Sequence, residues 1–269
     1  MAKRHRSMPR ALAAPRAAQA AKRSWHPQGN ARWYRVALAG ALVTLAALGG
    51  FMIASANSNR DARVDHEVRA LLTGIPQDGQ TLGTPTAPVT MQLFADLEDN
   101  DSQLWFLKLL PTIIRKFVRT SVLKIEYRAF KTNTIDSETF LKQQAAALAA
   151  GTQDKLWNYA YTFYFDQGQE YTPYVTETYL ENIAHQVPTL NIQQWDTDRN
   201  ADPQIEQVVE QDQQGRAAGI HVTPAYRIGR TGGTLKNFAG SKSITFAHQE
   251  HPTTYASAED LAKAINEIH

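Results

Sequence analysis

The run from Val36 to Ala56, VALAGALVTLAALGGFMIASA, constrains this chain more than any other segment, because 21 consecutive residues carry no charge and are rich in Ala, Leu, Val and Gly. At about 1.5 Å of rise per residue, a helix of that length crosses a hydrocarbon core of about 30 Å. Residues 36–56 are therefore expected to form a transmembrane helix through the lipid bilayer. Trp33 and Tyr34 stand at its leading edge, where amphipathic rings favour the headgroup zone. Residues 1–60 hold ten Lys/Arg and no Asp/Glu, and nine of the ten precede the run. The positive-inside rule then places the N-terminus in the cytoplasm and the rest outside. The expectation is a single-pass cell-membrane protein with a basic cytoplasmic tail over 1–35 and an extracytoplasmic domain. Two other readings compete. An Arg-rich transit peptide shares the basic, acid-free tail but not the long apolar run, and a cleaved signal peptide fits Ala54-Ser55-Ala56 but normally has a shorter apolar region.

Beyond this segment the charge inverts: residues 61–269 carry 18 basic and 26 acidic side chains, formally −8. A basic arm without aromatic interleaving or a recognition fold is no nucleic-acid signature, so no nucleic-acid partner is expected. The chain also has no cysteine. That excludes a disulfide, a cysteine nucleophile, a cysteine-ligated iron–sulfur cluster and a cysteine-based zinc site.

Hydrophobic periodicity organises the remainder. Val64, Val68, Leu71 and Leu72 predict a short amphipathic helix within 57–73, and Gly74, Pro76, Gly79, Gly83, Pro85 and Pro88 predict a loop over 74–88, so that 57–87 reads as a juxtamembrane helix and linker. The 88–269 domain opens with a strand at Pro88–Asp96 and a second at Val122–Phe130. Between them, Leu104 to Phe117 has apolar residues at helical spacing, completing a β-α-β unit. Pro111 in that helix removes one backbone hydrogen bond and predicts a kink. Helical patterns at Gln143–Ala150, Leu156–Phe165 and Thr176–Val187 predict an all-helical insert over about 134–190. A polar helix over Pro203–Ala218, strands at Ala225–Gly229 and Thr234–Phe238 and a last helix capped by Ser257 complete a three-layer α/β domain.

Several segments taken in order carry a more specific signal. GIPQDGQTLGTPTAPVTMQLFADLE, Leu110-Pro111, KIEYRAF, AAALAAGTQDKLWNYAYTFYFDQGQ and AAGIHVTPAYRIG resemble the leading loop and first strand, the kinked helix, the second strand, the helical insert and the cis-proline loop of the DsbA-like branch of the thioredoxin superfamily. The resemblance spans about residues 74–268 and implies a thioredoxin-like fold with an inserted helical subdomain. It also implies a thiol-disulfide oxidoreductase site, and there the chain departs from the pattern. Where the family carries Cys-x-x-Cys, this sequence has Asp99, Asn100, Asp101 and Ser102, with the family spacing of nine positions from Ser102 to Pro111. Disulfide exchange needs a thiolate attacking sulfur, which an Asp/Ser pair cannot provide.

Asp99, Asn100, Asp101 and Ser102 all suit a helix N-terminus, so one reading of the motif is a well-capped helix. The resemblance implies a second: the loop at His221, Thr223 and Pro224 offers backbone to an extended polypeptide, a mode of binding that needs no sulfur. The expected function is a membrane-anchored, redox-inactive polypeptide-binding, chaperone-like or complex-subunit module, not an enzyme, with an extracytoplasmic polypeptide or membrane protein as partner. The alternative is a family oxidoreductase that acts in disulfide formation only with a partner's thiols. Two further chemistries rank below these. The acidic cluster of Asp96, Glu98, Asp99 and Asp101 lacks the Gly and closing Glu of a calcium loop, so no metal site is expected. Ser102, His221 and Asp99 could form a hydrolase constellation, but no G-x-S-x-G elbow accompanies them. The aromatic run of Trp157, Tyr159, Tyr161, Phe163, Tyr164 and Phe165 reads as core packing rather than a ligand box. His185, His248, His251 and His269 lack ligand spacing, and no P-loop or dinucleotide fingerprint is present, so no cofactor is expected.

Overall fold

The computed structural model describes residue 60, residues 62–239 and residues 256–269. The expected span at 36–56 lies outside them, and among the described residues no helix is long and apolar enough to cross a membrane.

Strand alternation sets the architecture. In β4 (Leu123–Ala129), Leu123, Ile125, Tyr127 and Ala129 are buried while Lys124, Glu126 and Arg128 are only partly covered. β3 (Val89–Ala95) is buried on both faces except at Gln92, as a central strand must be. β3 pairs parallel with β4 and antiparallel with β5 (Ala225–Arg230), and β6 (Lys236–Phe238) closes that edge. The other edge was expected to be loop. Instead β1 (Gln77–Asp78) and β2 (Thr81–Leu82) form a hairpin turned at Gly79, whose φ is +56°, and β2 joins β4 to give the order β1-β2-β4-β3-β5-β6. Two-residue strands are too short for a period-2 pattern, so only their glycines were legible.

The predicted helix within 57–73 is α1, over 62–72, with Val64, Val68 and Leu72 buried. The crossover helix α2 runs from Asn100 to Val118, and Trp105, Phe106, Leu110, Ile113, Ile114 and Phe117 turn inward. Around Pro111 it widens into π-helical turns at Trp105–Leu109 and Ile114–Val118, so that the Leu110 N–H donates to the Trp105 carbonyl five residues back. Pro111, where a kink was expected, thus stands between two π-helical turns that widen the helix on either side of its ring.

Between β4 and α7 (Asp202–Ala217) stand α3 (Ser137–Gly151), α4 (Leu156–Asp166), α5 (Glu177–Gln186) and α6 (Ile192–Arg199). The last of these was not expected. Ile192–Arg199 is polar throughout except at Ile192 and Trp195; the Trp195 ring is fully buried and its Nε1 donates 2.8 Å to the Ala146 carbonyl, while Arg199, also buried, pairs with Glu177 at 2.6 Å. The aromatic run on α4 is core. Trp157 stacks on Phe106 with centroids 5.7 Å apart, and Tyr164 lies 4.4 Å from the same ring, joining the insert to α2. α8 (Ala258–Ile268) carries the Ser257 cap, completed as a capping box by Asp260.

On the far face of the sheet, α7 approaches β3 and β4 through Gly215. A Cβ placed there would meet the Phe130 ring at 2.5 Å and Phe94 at 3.1 Å, and both rings are buried. Overpacking of this kind costs about 1–3 kcal/mol, against roughly 1 kcal/mol returned by the better helix propensity of alanine. Gly215→Ala is expected to lower the urea midpoint without changing the slope; an unchanged or raised midpoint would show that the helix shifts freely.

Candidate functional site

β3 ends at Ala95 and the chain turns through Asp96–Asp99 into α2. Asp96 organises this turn: its fully buried carboxylate accepts the backbone N–H groups of Thr132 (2.8 Å), Asn133 (2.9 Å) and Thr134 (3.0 Å), from the loop after β4, and that of Glu98 (3.1 Å). The Asp96 carbonyl accepts the Tyr164 hydroxyl of α4 at 2.9 Å. Asp99 is the N-cap of α2, with φ −82° and ψ 122°. Its Oδ1 accepts Asp101 N–H (3.2 Å) and Asn133 Nδ2 (2.9 Å); its Oδ2 accepts Ser102 N–H (2.9 Å), Ser102 Oγ (2.7 Å) and Thr223 Oγ1 (2.7 Å). Thr223 has one hydroxyl proton, committed to Asp99, so the Thr132 hydroxyl beside it is the donor to Thr223. The Thr223–Pro224 peptide bond is cis and both residues are buried.

The predicted positions therefore divide. Asp99, Ser102 and Thr223 form one buried junction, with Asp99 at 1 % and Ser102 at 0 % relative exposure. Asn100 is held from the insert: its backbone N–H and Nδ2 donate to Glu170, which also accepts Asn133 Nδ2. Gln167 Nε2 donates to the Glu98 carbonyl at 3.0 Å. Asp101 lies in the first turn, where its charge suits the helix dipole. His221 stands apart, exposed, and no hydrogen bond joins it to Ser102, whose hydroxyl serves Asp99 instead. The Ser-His-Asp constellation does not form.

Asn133, Gln167 and Glu170 complete the site, and the sequence offered no marker for them. They sit 31 to 71 residues from the motif in loops, where no periodicity points to a partner.

Electrostatics set the junction's protonation. Burial pushes the Asp99 carboxyl up to about 7, opposed by the bonds from Ser102 and Thr223 and reinforced by the charges of Asp101 and Asp96. Burial likewise pushes the Glu98 carboxyl up to about 7 against hydrogen bonds from Thr134 and Gln143. A carboxyl whose folded value exceeds its unfolded one near 4 binds more protons folded than unfolded between about pH 4 and pH 7, so its contribution to stability falls as pH rises through that window.

Such an end of a helix cannot act as a nucleophile. No sulfur is present, the one hydroxyl is buried, and every carboxylate oxygen of Asp99 is engaged. What remains accessible is the neighbouring chain: His221 and Val222 are exposed, Val222 at 52 %, and among the described residues neither backbone N–H nor C=O of the two is hydrogen-bonded.

Comparison with known proteins supports the architecture. A thioredoxin family profile matches residues 77–235. Oxidised BdbD from Bacillus subtilis is similar at 14% identity, over 72% of this chain and 96% of that one, with a TM-score of 0.57. Alpha-DsbA1 from Wolbachia pipientis is similar at 19% identity, over 73% and 92%, with a TM-score of 0.53. A thioredoxin-like oxidoreductase from Silicibacter pomeroyi follows at 17% identity, over 74% and 95%, with a TM-score of 0.51. No curated protein matches the chain by sequence.

Asp99→Asn keeps the shape of the junction but removes the titration. The stability advantage of the wild type over this variant is expected to shrink between pH 5 and pH 8, read from urea midpoints at each pH; a constant or growing advantage would mean that Asp99 stays ionised throughout.

Proposed function

The chain belongs to the thioredoxin family, and from that premise we propose that it is a redox-silent polypeptide-binding module, held on the outer side of a membrane by residues 36–56. The observation that carries this reading is the backbone of His221–Val222, which is exposed and, among the described residues, without a hydrogen-bond partner, beside the cis-proline and the buried Asp99 junction. Exposed backbone that runs on beyond the paired end of a strand is a template to which an extended segment can add, and its affinity comes from main-chain hydrogen bonds that require no thiol. The oxidoreductase alternative, with thiols supplied by a partner, finds no support at the motif, because a partner's thiol would have to meet residues that are buried and already bonded.

In this reading the motif does structural work. Asp99 fixes α2 to the Thr223–Pro224 loop, and the loop in turn presents His221 and Val222. The client is an unfolded or extended extracytoplasmic segment, and the anchor confines the module to segments near the bilayer.

Reduced, carboxymethylated α-lactalbumin is a permanently unfolded probe without free thiols. The full chain in nanodiscs is expected to bind it, as read by anisotropy of the labelled probe. Val222→Pro deletes one backbone donor and is expected to weaken binding about tenfold. Equal binding by the variant would remove the edge from the account, and turnover in an insulin-reduction assay would overturn redox silence.

A further inference from the structure

Beside the Asp99 junction lies a second feature that the backbone edge does not use. A cavity of about 160 Å³ opens between the Asn133–Thr139 segment and the Tyr171–Pro173 loop. Its mouth is apolar. Ile135 is 69 % exposed and Tyr171 60 % exposed, the largest exposures of any big apolar side chain among the described residues, and Pro173 completes the rim. Its wall is acidic, carrying Glu98, which is 6 % exposed, and Asp136. No Lys, Arg or His lines it; the Lys131 ammonium, outside the lining, donates to the Ile135 carbonyl at 3.3 Å and its charge is felt by Asp136, not by Glu98. Asn133 lines the same cavity and donates to Asp99, so the pocket adjoins the junction that holds the cis-proline loop.

The chemistry of such a pocket is specific. An apolar side chain would fill the mouth but add nothing that favours the ionised form of Glu98, whose carboxyl burial pushes up to about 7, and an acidic one would meet Glu98 and Asp136 directly. A side chain with a methylene stem and a cationic tip satisfies both halves: the stem packs between Ile135 and Pro173, the Tyr171 ring offers its face to the cation, and the tip reaches the carboxylates. The formal charge of −8 over residues 61–269 favours the same sign.

We propose that the pocket bounded by Glu98, Ile135, Asp136 and Tyr171 selects a lysine side chain of the polypeptide bound by this module. The proposal rests on the polypeptide-binding reading and adds to it the class of segment preferred: extended and basic rather than purely apolar.

The test uses the full chain in nanodiscs and three dye-labelled nonapeptides that differ only at the central residue, which is lysine, norleucine or glutamate. Lysine and norleucine share a stem and differ in the tip. The lysine peptide is expected to bind about tenfold more tightly than the norleucine peptide, as one charge-assisted contact implies, and the glutamate peptide most weakly. Glu98→Gln is expected to erase the difference between lysine and norleucine. Ile135→Lys, at an exposed position that leaves the fold intact, is expected to do the same by placing a like charge at the mouth. Equal affinity of the wild type for lysine and norleucine, or a lysine preference that survives Glu98→Gln, overturns the pocket while leaving polypeptide binding in place. Failure of all three peptides to bind overturns both.

Discussion

Five hydrogen bonds converge on one carboxylate, that of Asp99, from the first turn of α2, from Asn133 after β4 and from Thr223 before the cis-proline. Three segments distant in sequence are fixed to one another through this side chain. A carboxylate taken out of water at 1 % exposure is costly unless its lone pairs are filled, and here both oxygens are. The neighbouring Asp96 repeats the logic on the backbone N–H groups of residues 132–134 and ties the same loop to the end of β3. Together the two carboxylates replace, with polar satisfaction, whatever a reactive pair at this helix end would need in accessibility.

The family fold and this junction are compatible for a simple reason. The N-terminus of a helix stabilises negative charge, whether it is borne by a thiolate or by an aspartate. With Asp and Ser in place of two cysteines the redox chemistry is lost, and burial outweighs the favourable helix end, so that the Asp99 carboxyl is pushed up to about 7. What the substitution adds is cross-linking: a carboxylate can accept from several donors at once, whereas a thiolate is a poor multiple acceptor. The outcome is a buried, fully bonded support beside the exposed His221–Val222 segment.

Much of the fold was legible because its elements are long and periodic. The strands at 89–95 and 123–129, the helix through Pro111 and the aromatic α4 follow from alternation, helical spacing and ring content. The β1–β2 hairpin and α6 were not, since two-residue strands carry no period and Ile192–Arg199 is anchored by Trp195 rather than by an apolar stripe. The site was half legible. Asp99 and Ser102 stand out as capping residues and Thr223–Pro224 as the cis-proline loop, but Glu170 and Asn133 are single polar residues in loops whose roles exist only once the chain is folded.

Amide hydrogen exchange, followed by mass spectrometry with and without saturating unfolded polypeptide, tests the central claim most directly. The account predicts that the Ser102 amide, buried against Asp99, is protected in both states, and that the His221 and Val222 amides gain protection only when polypeptide is bound. Rapid exchange at Ser102 would show that the junction is open, and unchanged exchange at His221 and Val222 would show that this edge is not where a polypeptide binds.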